Sequence, residues 1–110
     1  MNLVDQQCQH QVTPLAPDAM AALLPQVPAW ALVEGKLQRR FALRNYHETI
    51  AFVNALAWMV HQQDHHPELT VSYKECVATF YTHSVGGDLS LNDFICAARA
   101  DAIYAERTGA

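Results

Sequence analysis

Twice along this chain, a pair of short runs rich in branched and aromatic residues is interrupted by only two or three turn-forming residues. Ala29 to Glu34 and Leu37 to Arg44 flank Glu34-Gly35-Lys36, while the run from Leu69 and the run from Cys76 to His83 flank Lys74-Glu75. So short a connection reverses the chain, whereas a parallel crossover needs a dozen or more residues, so each pair is predicted to be an antiparallel hairpin. In the second arm of the first pair, Leu37, Arg39, Phe41 and Leu43 fall on one face and Gln38, Arg40, Ala42 and Arg44 on the other. That alternation predicts a strand covered on one side, its arginines facing largely to water.

Helical patterns separate and flank the hairpins. Pro17-Asp18 leads into Ala19-Met20-Ala21-Ala22-Leu23-Leu24, and Pro25 and Pro28 close the segment, which predicts one short helix. Asn45 is a good N-cap with Glu48 three residues on to complete a capping box. Ile50, Val53, Ala57 and Val60 then recur at helical spacing, with Phe52, Leu56 and Met59 widening the stripe. This helix should stop at Gln62 or Gln63, because Pro67 disfavours helical geometry at His66 and lacks an amide hydrogen. Gly86-Gly87 breaks the second hairpin's pattern, and Ser90 opens a last helix whose stripe uses Leu91, Phe94, Ile95, Ala98 and Ala102. The order αββαββα predicts an α+β fold: a four-stranded antiparallel sheet with the helices packed on one face and the other face available to a partner subunit. The whole chain, 1–110, is expected to form a single domain. Within it, polar, glutamine-rich residues 1–14 are expected to be a loose N-terminal arm, and residues 107–110 a frayed tail.

With 110 residues, 51% hydrophobic and 16% charged, the chain has material for one core. A net charge of −4 with seven scattered basic residues provides no electrostatic footprint for nucleic acid or an anionic membrane. No apolar run approaches the ~20 residues that span a bilayer. The opening Met1-Asn2-Leu3-Val4-Asp5 lacks the basic start and apolar core of a signal peptide, so a cytoplasmic protein is expected. Cys8, Cys76 and Cys96, without a C-x-x-C spacing, read as reduced structural thiols.

The chemistry concentrates between Asp64-His65-His66-Pro67-Glu68 and Thr82-His83. The two adjacent histidines fall just past a helix end, and a turn near Lys74-Glu75 brings position 66 close to 83 across the hairpin. Imidazole both donates and accepts protons near neutral pH, so three of them suggest proton transfer. The competing chemistry is a three-histidine zinc site. Adjacent histidines make awkward joint ligands, and no H-x-H, H-x₃-H or cysteine spacing supports a cage. Asp93 sits at N3 of Ser90-Leu91-Asn92-Asp93, where capping the last helix is by itself a sufficient reason for a carboxylate. Cys8 and His10 lack a second pair to complete a metal site, and Trp30 reads either as a core anchor or as a ring that stacks on a flat ligand.

Taken together, Asp64-His65-His66-Pro67-Glu68, Tyr73, Thr82-His83, Gly86-Gly87, the aspartate of the last helix and Trp30-Ala31-Leu32-Val33-Glu34-Gly35 resemble the pterin-4a-carbinolamine dehydratases. The resemblance covers about residues 18 to 105. It implies a lyase of the hydro-lyase class that converts 4a-hydroxytetrahydropterin to quinonoid dihydropterin and water, using no metal and no organic cofactor. Such an enzyme supports tetrahydrobiopterin recycling for phenylalanine hydroxylation and other aromatic amino acid hydroxylations, and assembles as a homodimer or homotetramer. By the same resemblance His65 and His83 are general acids and His66 holds the pterin. Asp64 binds substrate or orients an imidazole, the Tyr81-Thr82 backbone edge beside His83 grips the pterin ring, and Asp93 belongs to the catalytic set; Trp30 is counted among the substrate contacts.

Two departures from the family pattern stand out. His61 occupies the place where many members have a glutamate four residues before the first histidine, which removes a carboxylate that could tune the site. The loop Gly86-Gly87-Asp88-Leu89 is one residue longer than the usual Gly-Gly-Leu, which is expected to shift Asp93 relative to the pocket.

Overall fold

The computed structural model describes residues 2–107, so most of the expected frayed tail, 108–110, lies outside the described residues. Helix α1, Pro17–Leu23, opens with Pro17 in its first turn and runs into a 3-10 turn at Leu24–Gln26. Strands β1, Ala31–Val33, and β2, Lys36–Ala42, are joined by Glu34 and Gly35, both at positive φ (52° and 78°). Two-residue hairpin turns of this kind match the twist of the strands they join. Helix α2 spans Tyr46–Gln63, strands β3 and β4 span Glu68–Ser72 and Glu75–Phe80, and helix α3 spans Leu91–Ala105. All pairings are antiparallel and the sheet order is β1-β2-β4-β3, so the expected α+β arrangement is the one observed.

The second hairpin turns one residue earlier than expected, which shifts its pairing by two positions. Tyr73 and Lys74 form the turn, Ser72 pairs with Glu75 and Glu68 with Thr79, so the ladder carries position 64, not 66, toward 83. One sheet face is buried under α2 and α3: Leu37, Phe41, Cys76, Ala78 and Phe80 meet Phe52, Leu56, Phe94 and Ile95 in the core. Phe41 sits at its centre, with ring contacts to Trp30, Phe52 and Tyr104. Truncating a buried phenylalanine to alanine costs roughly 3–5 kcal/mol. The other face is polar, where Gln38 donates to Thr79 Oγ1 at 3.0 Å and Arg40 pairs with Glu75.

Arg39 corrects the reading of β2. It shares the core face with Leu37 and Phe41, where its guanidinium packs on the Phe41 and Tyr104 rings at 4.4 and 4.8 Å and donates to Asp101 Oδ1 at 2.6 Å. A charge placed there is tolerated because its planar face is covered by rings and its charge is paired. Alternation alone located the face correctly but not which polar residue could be absorbed into it.

Helix α2 starts as expected, with Asn45 Oδ1 accepting from Glu48 N–H at 2.8 Å. The reciprocal bond differs: Glu48 accepts from the amide of Arg44, and from its guanidinium, rather than from Asn45 N–H. The buried stripe is Thr49, Phe52, Leu56, Met59 and Val60, with Ile50 and Val53 at its margin and Ala57 exposed. Thr49 can occupy the stripe because its hydroxyl bonds Asn45 O and Tyr73 O at 2.9 and 3.1 Å. At the other end Asp64 adopts the left-handed conformation (φ 52°), Asp64 N–H donates to His61 O, and His65 N–H reaches back to Val60 O. This is a Schellman-type cap with aspartate in the place glycine usually takes.

The expected loose arm is packed onto the protein. Leu3 is fully buried, and its amide donates to Gln26 Oε1 at 3.0 Å. Arg99 donates twice to Gln6 O, and Gln9 and Asn92 exchange a pair of bonds at 2.9 and 2.8 Å. Further on, Leu15 N–H reaches Leu89 O at 2.9 Å. The segment has no hydrophobic period of its own and is held by side chains of other elements that bond its backbone, as a strap across α3.

Candidate active site

The Schellman-type turn that ends α2 sets His65 directly beside the end of β4. Its ring lies parallel to Phe80, with centroids 5.9 Å apart and planes at 9°, and its side chain is 10% exposed. Nε2 lies 2.6 Å from Asp93 Oδ1. Asp93 is fully buried in the first turn of α3, where its second oxygen accepts from Ser90 N–H at 2.9 Å and from the Thr82 hydroxyl at 2.7 Å. Because the Thr82 proton is committed to Asp93, the 2.8 Å contact between Thr82 Oγ1 and Ser90 Oγ has Ser90 as its donor. A carboxylate offers only acceptors, so His65 Nε2–H donates to it and Nδ1 is left to exchange a proton. Capping and orienting are therefore both functions of Asp93, through different oxygens.

A cavity of about 620 Å³ opens at this end of the sheet, bordered by Asp64, His65, His66, Tyr81, Thr82 and His83. Six of the eight residues read from the sequence as site residues thus share one space. Asp64 reaches it as the cap of α2, while His66 and His83 are exposed on its rim. His83 begins a 3-10 turn, His83–Val85, and its ring meets that of Tyr81 at 4.6 Å. The Tyr81 hydroxyl donates to Glu68 Oε2 at 2.7 Å, and this bond raises the phenol above its ordinary pKa; Lys36 Nζ lies 4.2 Å over the ring. The Thr82 side chain is buried and turned to Asp93, so its hydroxyl orients the site from behind.

Trp30 and Asp93 stand outside the cavity lining. Trp30 is a core residue, 5% exposed, packed on Phe41 and Phe80, with Nε1–H donating to Asp101 Oδ1 at 2.8 Å. It reaches the site only through Phe80, whose ring also supports His65. His61 likewise does not border the cavity; it is exposed in the last turn of α2 beside Trp58. Asp93 lies against His65, and in the loop before it Gly86 and Gly87 sit at φ 72° and 89° while Thr82 N–H donates to Asp88 O at 3.1 Å.

The cavity also has a wall that no motif announced. Cys8, Gln9, His10 and Val12 of the strap border it, with Gln63 from α2 and Asn92 from α3. Cys8 N–H donates to Gln63 Oε1 at 2.8 Å, so the strap is tied to the end of α2. Among the described residues, no three His, Cys, Asp or Glu side chains are grouped to hold a metal ion, and no helix is long and apolar enough to cross a membrane.

Comparison with known proteins bears on the family and the fold. The family described as pterin 4 alpha carbinolamine dehydratase matches residues 13–103. A Chromobacterium violaceum protein provisionally named pterin-4-alpha-carbinolamine dehydratase is 48% identical over 106 residues, covering 94% of this chain and 97% of its own. A Stenotrophomonas maltophilia protein of the same provisional name is 58% identical over 86 residues, covering 76% of this chain and 73% of its own. The crystal structure of a transcriptional coactivator/pterin dehydratase from Brucella melitensis superimposes with a TM-score of 0.77 at 26% identity, covering 83% of this chain and 98% of that one. With the imidazole-lined cavity at the end of an αββαββα sheet and a family match over most of its length, the chain belongs to the pterin 4 alpha carbinolamine dehydratase family.

Proposed function

We propose that this protein is a hydro-lyase that dehydrates 4a-hydroxytetrahydropterin to quinonoid dihydropterin. The observation that carries the reading is His65, held through Nε2 by buried Asp93 on the wall of a cavity that His66 and His83 also border. In the reaction the C4a–O bond breaks and the hydroxyl takes a proton from an imidazole to leave as water. A ring nitrogen gives up its own proton as the new double bond forms, restoring the acid. Imidazole serves both transfers near neutral pH, and a positioned general acid contributes typically ~10²–10⁴-fold. His65, through Nδ1, and His83 act as the acids in this reading. His66 holds the pterin, Asp64 and Tyr81 complete the binding surface, and Thr82 and Asp93 position His65.

The physiological setting that follows is recycling of tetrahydrobiopterin consumed by aromatic amino acid hydroxylation, by a cytoplasmic dimer or tetramer whose size light scattering reads. The test is direct: purified protein is added to freshly generated 4a-hydroxytetrahydropterin, and formation of the quinonoid product is followed by absorbance. Acceleration over the spontaneous reaction is expected. A folded protein that leaves the rate unchanged overturns the enzyme reading in favour of a non-catalytic module of the same fold.

A further inference from the structure

Two thiols that the dehydration does not use meet where the strap crosses α3. Cys8 Sγ lies 3.6 Å from Cys96 Sγ and 3.7 Å from Asn92 O. Cys8 is held in register from both sides, by its own amide on Gln63 and by the paired bonds between Gln9 and Asn92. The partners differ in access: Cys96 is fully buried on α3, while Cys8 is half-buried and borders the open cavity, where a small solute can reach it. They differ in acidity in the same sense. The hydrogen bond from Cys96 lowers the Cys8 thiol, with the charges of His65 and Arg99 acting in the same direction against burial and Asp93. Cys96 is pushed up, first by that bond and then by burial. The third thiol, Cys76, is buried in β4, which raises it to about 11.

We propose that Cys8 and Cys96 form a two-thiol oxidation site for a small hydroperoxide, closing to an intramolecular disulfide that fastens the strap to α3. The Cys8 thiolate attacks the outer peroxide oxygen; the O–O bond breaks, an S–O bond forms, and the alkoxide or hydroxide leaves with a proton as alcohol or water. Cys96 sulfur then attacks the sulfenic acid, its thiol proton leaving with the hydroxyl as water, so that two thiols are oxidised and one peroxide is reduced. Going from contact to bond asks for roughly 1.5 Å of approach. The strap, irregular at Cys8, can supply that movement where α3 cannot. The disulfide would join residues that are 88 positions apart and fix one wall of the substrate cavity.

The experiment uses the fully reduced, full-length chain treated with dilute hydrogen peroxide under native conditions, and requires no dehydratase activity. The expected product is a monomer lighter by about 2 Da, whose peptide map links Cys8 to Cys96 and which dithiothreitol returns to the starting mass. In Cys96→Ser, oxidation should stop at a Cys8 sulfenic acid that dimedone traps; in Cys8→Ser the protein should retain the Cys96 thiol. The proposal is overturned if the native chain instead gains oxygen on Cys8 with Cys96 still free, forms a link through Cys76 or between two chains, or stays unmodified under peroxide that oxidises free cysteine.

Discussion

His65 and His83 are the same side chain in opposite circumstances on the border of one cavity. His65 is nearly enclosed, flat against Phe80, with one nitrogen committed to Asp93. His83 is exposed at the start of a 3-10 turn, with the Tyr81 ring as its neighbour. An enclosed imidazole is oriented before any ligand arrives, and its carboxylate is part of the helix cap that holds α3 in place. An exposed one contributes little to folding and keeps its rotamer freedom until a ligand orders it. Within one proposed reaction, therefore, damage to the His65 side should reach both activity and stability, while damage to the His83 side should reach activity alone.

The strongest test of that contrast is Asp93→Asn. The amide keeps the shape but presents a donor as well as an acceptor to three groups that all need acceptance. Dehydration should fall by about 10²–10³-fold, with a loss of about 1–3 kcal/mol in denaturant unfolding. Next comes His83→Ala, for which turnover should fall about 10²-fold while unfolding stays within about 0.5 kcal/mol. If the two variants unfold at the same denaturant concentration, the division into an enclosed and an exposed side is wrong.

The smallest effect concerns Tyr81, the ring beside His83. The hydrogen bond to Glu68 raises this phenol, so its stabilising contribution is complete below the ordinary tyrosine pKa of ~10 and fades as pH climbs through the higher folded value. In a phenolate absorbance titration, the component missing from Tyr81→Phe should ionise later than in Glu68→Gln. Equal midpoints would remove Glu68 from the rim's electrostatics.

Much of this molecule was legible in one dimension. Asn45 and Pro67 bracket α2 because a cap and an absent amide act on the local backbone, and Gly35 marks a turn that the pleat on either side requires. The features that escape a local reading share a cause. Alternation turns Arg39 to water and leaves Trp30 open between core anchor and ligand contact, yet both converge on Asp101, more than sixty residues away, which makes burial of a guanidinium and an indole N–H acceptable. The strap reads as loose in sequence because its anchors are Gln26, Gln63, Asn92 and Arg99, residues whose partnership with residues 3–9 leaves no local pattern. His10 and Cys8 entered the cavity wall by the same route.

By itself, the sequence determined the order of elements, the antiparallel pairing within each hairpin, and the gathering of three imidazoles at one end of the sheet. Those follow from turn length, side-chain period and helix-terminating chemistry, all acting over a few neighbouring residues. Tertiary structure alone decided which imidazole received a carboxylate and what closed the cavity. Contact between His65 and Asp93 exists only once α3 has packed beside the ends of α2 and β4, and contact between Cys8 and Cys96 only once the strap lies across α3. The energy of that packing is spread over the core rather than written in the residues that meet.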